Sequence, residues 1–223
     1  MNPITINATD LPDAWHRCLF SILDVGREFT IDRGSYAGQK RLEFDYITVN
    51  VNFPGTRPLI PKIPAHLGIP DPVSDEYLEN YYMYMVAPGK KKNEDYTYGD
   101  RLHDQILRIA EIYSKHGERN NQCVLQVAQP SDLDLADPPC LRHIDTRIQD
   151  GLLHFFPYYR SWDLWGGFPA NLAAIRMLQE DMAELIGVGA GKIIAGSKGL
   201  HLYDHVWDLA RKRRRGIAAD ADF

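Results

Sequence analysis

Two alternating segments joined by Asp150-Gly151 constrain the fold of this chain more than any other stretch. Apolar and polar residues alternate through residues 144–148 and again through 152–159, which is the pattern of half-buried strands. Asp-Gly between two such segments favours a tight hairpin turn. A long apolar helix is predicted next, at residues 169–187, with a stripe formed by Leu172, Ile175, Leu178, Met182 and Leu185. Strands mixed with helices in this way predict an α+β fold.

The remaining elements are predicted from periodicity and from turn residues. Helices are expected at residues 10–26, 74–87, 98–117 and 203–214, and strands at 44–53, 123–127 and 192–197. In the strand at 44–53, the inward residues are expected to be Ile47, Val49, Val51 and Phe53. Residues 54–72 contain six prolines and little periodicity, which predicts an irregular connector. With 223 residues, 44% of them hydrophobic, residues 1–223 are expected to form one domain.

Charge and composition narrow the functional classes. The net charge of −5 argues against a chain that wraps nucleic acid, and the basic run at 211–215 is most simply a solvated helix end. The three cysteines form no Cys-x-x-Cys pair, so reduced thiols and a cytoplasmic location are expected. No signal-peptide pattern is visible, and no apolar run reaches the ~18 residues of a membrane span, so no membrane partner is expected.

Cys140 is the candidate nucleophile. It follows Pro138-Pro139, and proline stiffens the chain that carries the thiol. A thiol attacks as its thiolate, and because its usual pKa is about 8.5 it needs a nearby positive charge. Arg160, on the far arm of the predicted hairpin, could supply that charge. A buried and inert cysteine is the alternative interpretation.

Arg160 and Ser161 together offer a fork of donors and a hydroxyl, which suits a phosphate group. The alternative is a surface ion pair between Arg160 and Asp163. Asn171 stands at the start of the predicted helix, where it could cap the helix. Its amide could instead bind the edge of a nucleobase, because it both donates and accepts hydrogen bonds.

His201 and Tyr203 are two residues apart, so on an extended segment their side chains point the same way. They could then hold one hydroxylated group, or they could be ordinary residues of a strand. His205 follows four residues after His201, but no carboxylate or thiol completes a set of ligands, so no metal is expected.

Taken together and in this order, four short motifs resemble the thymidylate synthase family, which also includes pyrimidine-nucleotide hydroxymethylases. The motifs are Pro139-Cys140, Arg160-Ser161-Trp162-Asp163, Gly167-Phe168-Pro169-Ala170-Asn171 and His201-Leu202-Tyr203. The match covers about residues 137–205, and its wording is closest to the short archaeal-type synthases. The resemblance implies a three-layer fold with a large mixed sheet flanked by helices. It also implies a homodimer with shared active sites.

The resemblance implies a role for each matched residue. Cys140 would attack C6 of the pyrimidine of dUMP in a covalent mechanism. Arg160 and Ser161 would bind the nucleotide phosphate, and Asn171 would bind the uracil ring. The one-carbon donor implied is the co-substrate 5,10-methylenetetrahydrofolate.

Further roles follow from the same resemblance. Asp163 would orient the pterin, Gly167 would lie against the folate, and His201 and Tyr203 would bind the 3′-hydroxyl of the deoxyribose. Tyr98, which is followed by Gly99, is similar to the tyrosine of the network that removes the C5 proton.

Other placements rest on weaker similarity. A helical glutamate should order the water used in proton transfer, and Glu79 is the candidate, with Glu76 as its rival. Arg33 resembles a loop arginine that closes on the phosphate. Arg119 is the candidate for an arginine that one subunit lends to the other. The short C-terminus leaves residues 218–223 as the candidate lid over the folate.

The chain departs from the family pattern at two positions, and two rival functions remain possible from the sequence. Leu141 stands where many members of the family have His, and Tyr159 stands where Gln is usual. The closest rival function is a hydroxymethylase acting on dCMP or CMP, although its cytosine-binding position is commonly Asp rather than the Asn171 of this chain. A different class is a nucleotide- or RNA-binding module that uses the basic run at 211–215.

Overall fold

The computed structural model describes residues 1–32, 36–92 and 94–220, with side chains up to residue 216. Its helices are α1 (Leu11–Val25), α2 (Asp75–Val86), α3 (Tyr98–His116), α4 (Gly167–Ile186) and α5 (Trp207–Asp220). Its strands are β1 (Pro3–Ala8), β2 (Arg27–Thr30), β3 (Lys40–Glu43), β4 (Tyr46–Val51), β5 (Val124–Gln126), β6 (Leu141–Gln149), β7 (Leu152–Tyr159), β8 (Trp162–Asp163), β9 (Gly189–Ser197) and β10 (Leu200–Tyr203). No helix of the described part is both long enough and apolar enough to cross a bilayer.

The strands form two sheets. The larger has six strands in the order β1-β4-β9-β7-β6-β5, and it is mixed because β1 runs parallel to β4 and β7 parallel to β9. The smaller has four strands in the order β2-β3-β10-β8. Helices α1 and α4 pack on the larger sheet, and α2 packs against α3 and α4. The expected α+β fold, with a large mixed sheet flanked by helices, is therefore confirmed.

Local chemistry explains the elements that were predicted well. Asp10 caps α1 by accepting a hydrogen bond from the Asp13 amide at 2.9 Å, as Ncap carboxylates commonly do. The hairpin between β6 and β7 turns at Asp150 and Gly151, whose φ angles of 55° and 71° are those of a primed turn. Gly187, with φ 84°, ends α4 in the left-handed conformation.

Several predictions about elements were wrong. Strand β4 ends at Val51, and Phe53 lies outside it with 65% of its surface exposed, because the chain turns at the following proline. Leu185 is 57% exposed and leaves the buried stripe of α4. Tyr203 closes a strand rather than opening a helix, and α5 begins at Trp207.

The basic run at 211–215 is not uniformly solvated. Arg213 is buried, and its Nε donates to Nε2 of His16 at 3.2 Å. Burial, and then the charge of Arg213, lower the pKa of His16 to about 4, so this histidine is a neutral acceptor. Arg211 and Arg214 form ion pairs with Asp208 and Asp24. The interpretation of this run as a solvated helix end was therefore wrong for Arg213.

A buried ion pair supports the loop that leads into β6. Asp132 is 1% exposed, and both of its oxygens accept from the guanidinium of Arg101, at 2.6 and 2.7 Å. Arg142 lies 3.8 Å from Asp132 and donates to the Pro139 carbonyl at 3.1 Å. The pair therefore joins α3 to the chain just before Cys140.

We expect Asp132→Asn to lower the free energy of unfolding by about 3 kcal/mol, because Arg101 would be left without its buried counter-charge. The hydrogen bonds from Arg101 lower the pKa of Asp132 in the folded protein. The stability that the pair contributes is thus fully present above the usual Asp pKa of about 4, and it is lost as pH falls through the lower folded value. Urea unfolding measures the change, with the exposed Glu111→Gln as control. Equal midpoints for Asp132→Asn and the parent would contradict this expectation.

Candidate active site

Arg160 holds the loop that carries Cys140. Its backbone amide donates to the Cys140 carbonyl at 2.9 Å, which extends the pairing of β6 and β7. Its Nε donates to the Pro138 and Pro139 carbonyls at 3.2 Å each, and its Nη2 donates to Asp137 at 2.9 Å. The alternative partner considered for Arg160, Asp163, is not the one it pairs with. The guanidinium therefore fixes the approach to the thiol.

Burial and charge act in opposite directions on the Cys140 thiol. The residue is half-buried, and burial raises its pKa above the ordinary value. The Arg160 guanidinium is the largest influence that lowers this pKa, and Arg142 lowers it further, whereas Asp137 raises it. Arg160 thus favours the thiolate, although burial has the larger effect on the pKa of Cys140.

Tyrosine side chains surround the thiol. The Tyr98 hydroxyl accepts from the Leu141 amide at 3.4 Å, and burial followed by the charge of Cys140 raises the Tyr98 pKa. Tyr159 is fully buried, and its hydroxyl has no hydrogen-bond partner among the described residues. Burial also raises the pKa of Tyr96, with the charge of Cys140 as the next cause. Tyr98 was expected from the resemblance, Tyr159 was noted only as a departure from the usual Gln, and Tyr96 was missed.

Asn171 lies inside α4 and does not cap it. The helix begins at Gly167, and the carboxylate of Asp163 accepts from the amides of Gly166 and Gly167 at 3.0 and 2.9 Å. The interpretation of Asn171 as a cap was therefore wrong: Gly166 is the Ncap residue, and Asp163 accepts from its amide and the next one from outside the helix. Asn171 Oδ1 instead accepts from the indole Nε1 of Trp162 at 2.8 Å. Trp162 was quoted in a motif but was given no role.

A cavity of about 470 Å³ opens beside Asp163. Gly166, Gly167, Val73 and Tyr77 are among the residues that line it. A Cβ at position 167 would lie 3.3 Å from the Asp163 side chain, so glycine keeps the cavity wall flat there. The cavity thus has a carboxylate, a flat wall and an aromatic ring, which suits a planar polar ligand.

His201 presents a hydrogen-bond acceptor. It is buried, and its Nδ1 lies 2.8 Å from the Gly199 carbonyl, which can only accept, so Nδ1 carries the proton. Burial lowers the pKa of His201 to about 4, so the ring is neutral near pH 7 and Nε2 keeps its lone pair. That Nε2 is buried and has no hydrogen-bond partner in the described part of the chain. It can accept from a ligand hydroxyl.

Strand pairing brings His201 and Asp163 close together. His201 on β10 is the register partner of Asp163 on β8. The ring of Tyr203 lies edge-on to His201 with centroids 4.7 Å apart. Burial, and then the charge of Asp163, raise the pKa of Tyr203 to about 12, and the charge of Cys140 contributes as well. Tyr203 therefore lies within electrostatic reach of both the thiol and the Asp163 cavity.

The remaining candidates are not joined to this cluster by hydrogen bonds. Glu76 and Glu79 are exposed on α2, and neither forms a hydrogen bond or ion pair with the described residues. Ser161 is half-buried at the end of β7. Arg119 is exposed beside Arg147, at a cavity of about 430 Å³.

Two of the predicted functional regions lie wholly or partly outside the described residues. Arg33 lies outside the described residues. The candidate lid at 218–223 lies beyond the described side chains, and residues 221–223 lie outside the described chain altogether. Within the described ranges, no group of three or more His, Cys, Asp or Glu side chains could hold a metal ion.

Comparison with known proteins identifies the family. A family model described as thymidylate synthase matches residues 71–217, which is more than half of the chain. A curated relative from Methanosarcina mazei, named "Putative thymidylate synthase", is 32% identical over 218 residues that cover 95% of each chain. A relative of the same name from Methanosarcina acetivorans is 31% identical over an equal span. The thymidylate synthase of Symbiobacterium thermophilum is 29% identical over 108 residues, which cover 48% of this chain and 38% of that protein. The chain therefore belongs to the thymidylate synthase family.

Proposed function

We propose that this protein is a thymidylate synthase that converts dUMP to dTMP with 5,10-methylenetetrahydrofolate as co-substrate. Membership of the family implies a one-carbon transferase that uses this folate. The position of Arg160 beside Cys140 on the hairpin supports covalent chemistry on a nucleotide, and Asn171 favours uracil as its base. The Nε and Nη2 of Arg160 hold the cysteine loop, while its Nη1 forms no hydrogen bond with the described residues. That free edge of the fork can receive a phosphate next to the nucleophile.

Cys140 divides the chemistry into easier steps. Its sulfur bonds to C6 of the uracil, and the electron pair of the C5–C6 double bond moves towards the oxygen at C4. This leaves C5 nucleophilic. The folate supplies the one-carbon unit and, as it is oxidised to dihydrofolate, the hydride that completes the methyl group. After C5 has lost its proton, the C5–C6 double bond re-forms and Cys140 leaves as a thiolate.

Binding of the nucleotide is assigned to four other side chains. Ser161 adds a hydroxyl beside Arg160 for the phosphate. His201 would accept from the 3′-hydroxyl through its unprotonated Nε2, and Tyr203 would donate to the same group. Asn171 would bind the edge of the uracil ring. We also assign Arg33 to closure over the phosphate.

The folate would lie in the cavity beside Asp163. The carboxylate there already accepts from backbone amides at 2.9 and 3.0 Å, but a carboxylate has about four acceptor positions. Asp163 can therefore still accept from a pterin N–H, while Gly167 lies flat against the ring. The exposed side chain of Tyr77, which also lines the cavity, offers an aromatic surface for stacking.

Removal of the C5 proton is assigned to Tyr98 and a glutamate on α2. The Tyr98 hydroxyl is held close to the thiol by the Leu141 amide. Burial keeps the hydroxyl protonated, because it raises the Tyr98 pKa. Glu79 would order the water that relays the proton, and Glu76 is the alternative.

We propose that the chain acts in the cytoplasm as one domain that pairs into a homodimer. The face of the larger sheet that points away from its buried residues carries the half-exposed side chains Phe156, Tyr158 and Ile194. An apolar face of this kind suits an interface with a second copy. Arg119 would reach the phosphate of the partner copy.

Sedimentation should give twice the 25.5 kDa mass of the chain, and a monomer at working concentration would contradict the proposal.

The experiment that tests the reaction is incubation with dUMP, dCMP or CMP and methylenetetrahydrofolate. Absorbance should report dihydrofolate with dUMP alone. A hydroxymethylated product without dihydrofolate would overturn the proposal in favour of the hydroxymethylase. Salt-sensitive RNA binding without turnover would favour the binding module. Burial of Arg213 and the ion pairs of Arg211 and Arg214 make that last outcome unexpected.

A further inference from the structure

We propose that Trp162 sets the preference for uracil over cytosine by fixing which end of the Asn171 carboxamide faces the base. This inference rests on the proposed function, because it concerns the site where Asn171 binds the nucleobase. The observation behind it is the 2.8 Å hydrogen bond from the Trp162 indole to Asn171 Oδ1.

The chemistry of the two groups determines the orientation of the amide. An indole N–H can only donate, whereas the two ends of a carboxamide differ, since the oxygen accepts and the nitrogen donates. The end of Asn171 that faces Trp162 must therefore be the oxygen. Its Nδ2 then points away from the indole and presents donors on its other side.

The indole itself is held firmly. Trp162 is 2% exposed, and its ring stacks on Tyr159 with centroids 4.1 Å apart and an interplanar angle of 8°. Phe168 packs against the same ring at 4.6 Å. The backbone amide of Trp162 donates to the Gly199 carbonyl at 2.9 Å. Because the ring and backbone are both fixed, the donor cannot turn aside to accommodate a flipped amide.

Discrimination between bases follows from this fixed orientation. Uracil has a carbonyl at C4, which accepts from the Nδ2 of Asn171. Cytosine has an amine there, so two donors would face each other and remain unpaired in a buried site. Flipping the amide would relieve that conflict, but it would turn Nδ2 towards the indole N–H. Trp162 thus blocks the rearrangement that cytosine needs.

The test compares dUMP and dCMP binding to Trp162→Phe by calorimetry. Phenylalanine keeps an aromatic ring for stacking but removes the N–H. We expect the ratio of the two dissociation constants to fall at least about tenfold, which corresponds to about 1.4 kcal/mol. The matched control is Trp207→Phe, which removes an indole bond to the Leu202 carbonyl at 2.9 Å and should leave the ratio unchanged.

A second parent variant, Asn171→Asp, distinguishes the effect of amide orientation from the effect of packing. A carboxylate has two equivalent oxygens, so in Asn171→Asp there is no orientation to fix. Adding Trp162→Phe to that variant should leave the ratio of dissociation constants as it was. An equal fall of the ratio in both backgrounds would overturn the inference, because the effect would then come from packing alone. An unchanged ratio in the single variant would overturn it as well.

The outcome remains decidable if Trp162→Phe does not fold. In the parent protein, the NMR signal of the Trp162 indole N–H should stay protected from exchange with dUMP and with dCMP, because the hydrogen bond to Asn171 Oδ1 persists in both complexes. Loss of protection with dCMP would overturn the inference, because the amide would then have flipped. Failure of the proposed function is distinguishable, because the parent protein itself would then show no preference for dUMP over dCMP.

Discussion

Replacing Cys140 with serine should reduce the turnover of dUMP at least about 10³-fold and leave the binding of dUMP nearly unchanged. The hydroxyl is close in size to the thiol, so the contacts around it are kept. It is a far weaker nucleophile near neutral pH, so the bond to C6 does not form. Steady-state kinetics measure the first effect, and calorimetry measures the second.

Covalent trapping makes the same prediction visible without turnover. The parent protein incubated with 5-fluoro-dUMP and methylenetetrahydrofolate should gain the mass of both ligands, because fluorine at C5 cannot leave as a proton does. Cys140→Ser should gain nothing. Cys123→Ala is the control, since this buried cysteine lies away from the cluster, against Tyr113 and Thr146. An adduct on any residue other than Cys140 would contradict the assigned mechanism.

Arg160→Lys should lower kcat/KM for dUMP about 100-fold or more, even though the positive charge is retained. A single ammonium cannot hold the carbonyls of Pro138 and Pro139 and still offer a further donor to a phosphate, as the guanidinium does through Nη1. The loop before Cys140 should loosen, and KM should rise together with a fall in kcat. Arg57→Lys is the matched control, because the exposed Arg57 is also bidentate but binds Glu180, at 3.2 and 2.8 Å, away from Cys140.

The pKa of the Cys140 thiol should also change in Arg160→Lys. Arg160 lowers the pKa of Cys140 against the effect of burial. Moving its charge away from the sulfur should raise that pKa, so alkylation by iodoacetamide should need a higher pH than in the parent protein. An unchanged pH profile together with an unchanged KM would show that Arg160 acts on neither the thiol nor the phosphate.

Local sequence predicted the elements whose stabilising contacts are close along the chain. The hairpin turn at Asp150-Gly151 and helix α1 depend on neighbouring residues, and both were found where expected. Strands β1, β2, β3 and β8 were missed, and β10 was considered only as an alternative for His201 and Tyr203. Residues Arg27–Thr30 are all exposed and show no alternation. Strand β1 pairs with β4 more than 40 residues away, so its partner leaves no local signal.

The sequence likewise predicted some residues of the candidate site but not the contacts that orient them. Motifs in order along the chain were enough to nominate Cys140, Arg160 and Asn171. The contacts that orient these side chains come from residues whose roles depend on tertiary packing. The Trp162 indole on Asn171 is one such contact, and the Asp137 carboxylate on Arg160 is another. Neither follows from spacing, because each depends on how strands and loops meet.

Asp163 has two structural roles, and both constrain any redesign of the protein. The same carboxylate that lines the cavity also secures the first turn of α4, the helix that carries Asn171. Altering residue 163 would therefore disturb the scaffold as well as the pocket. Tyr77 lines the same cavity from helix α2 and is 55% exposed, so it does not secure α4 in this way. Libraries aimed at accepting altered folates should begin there.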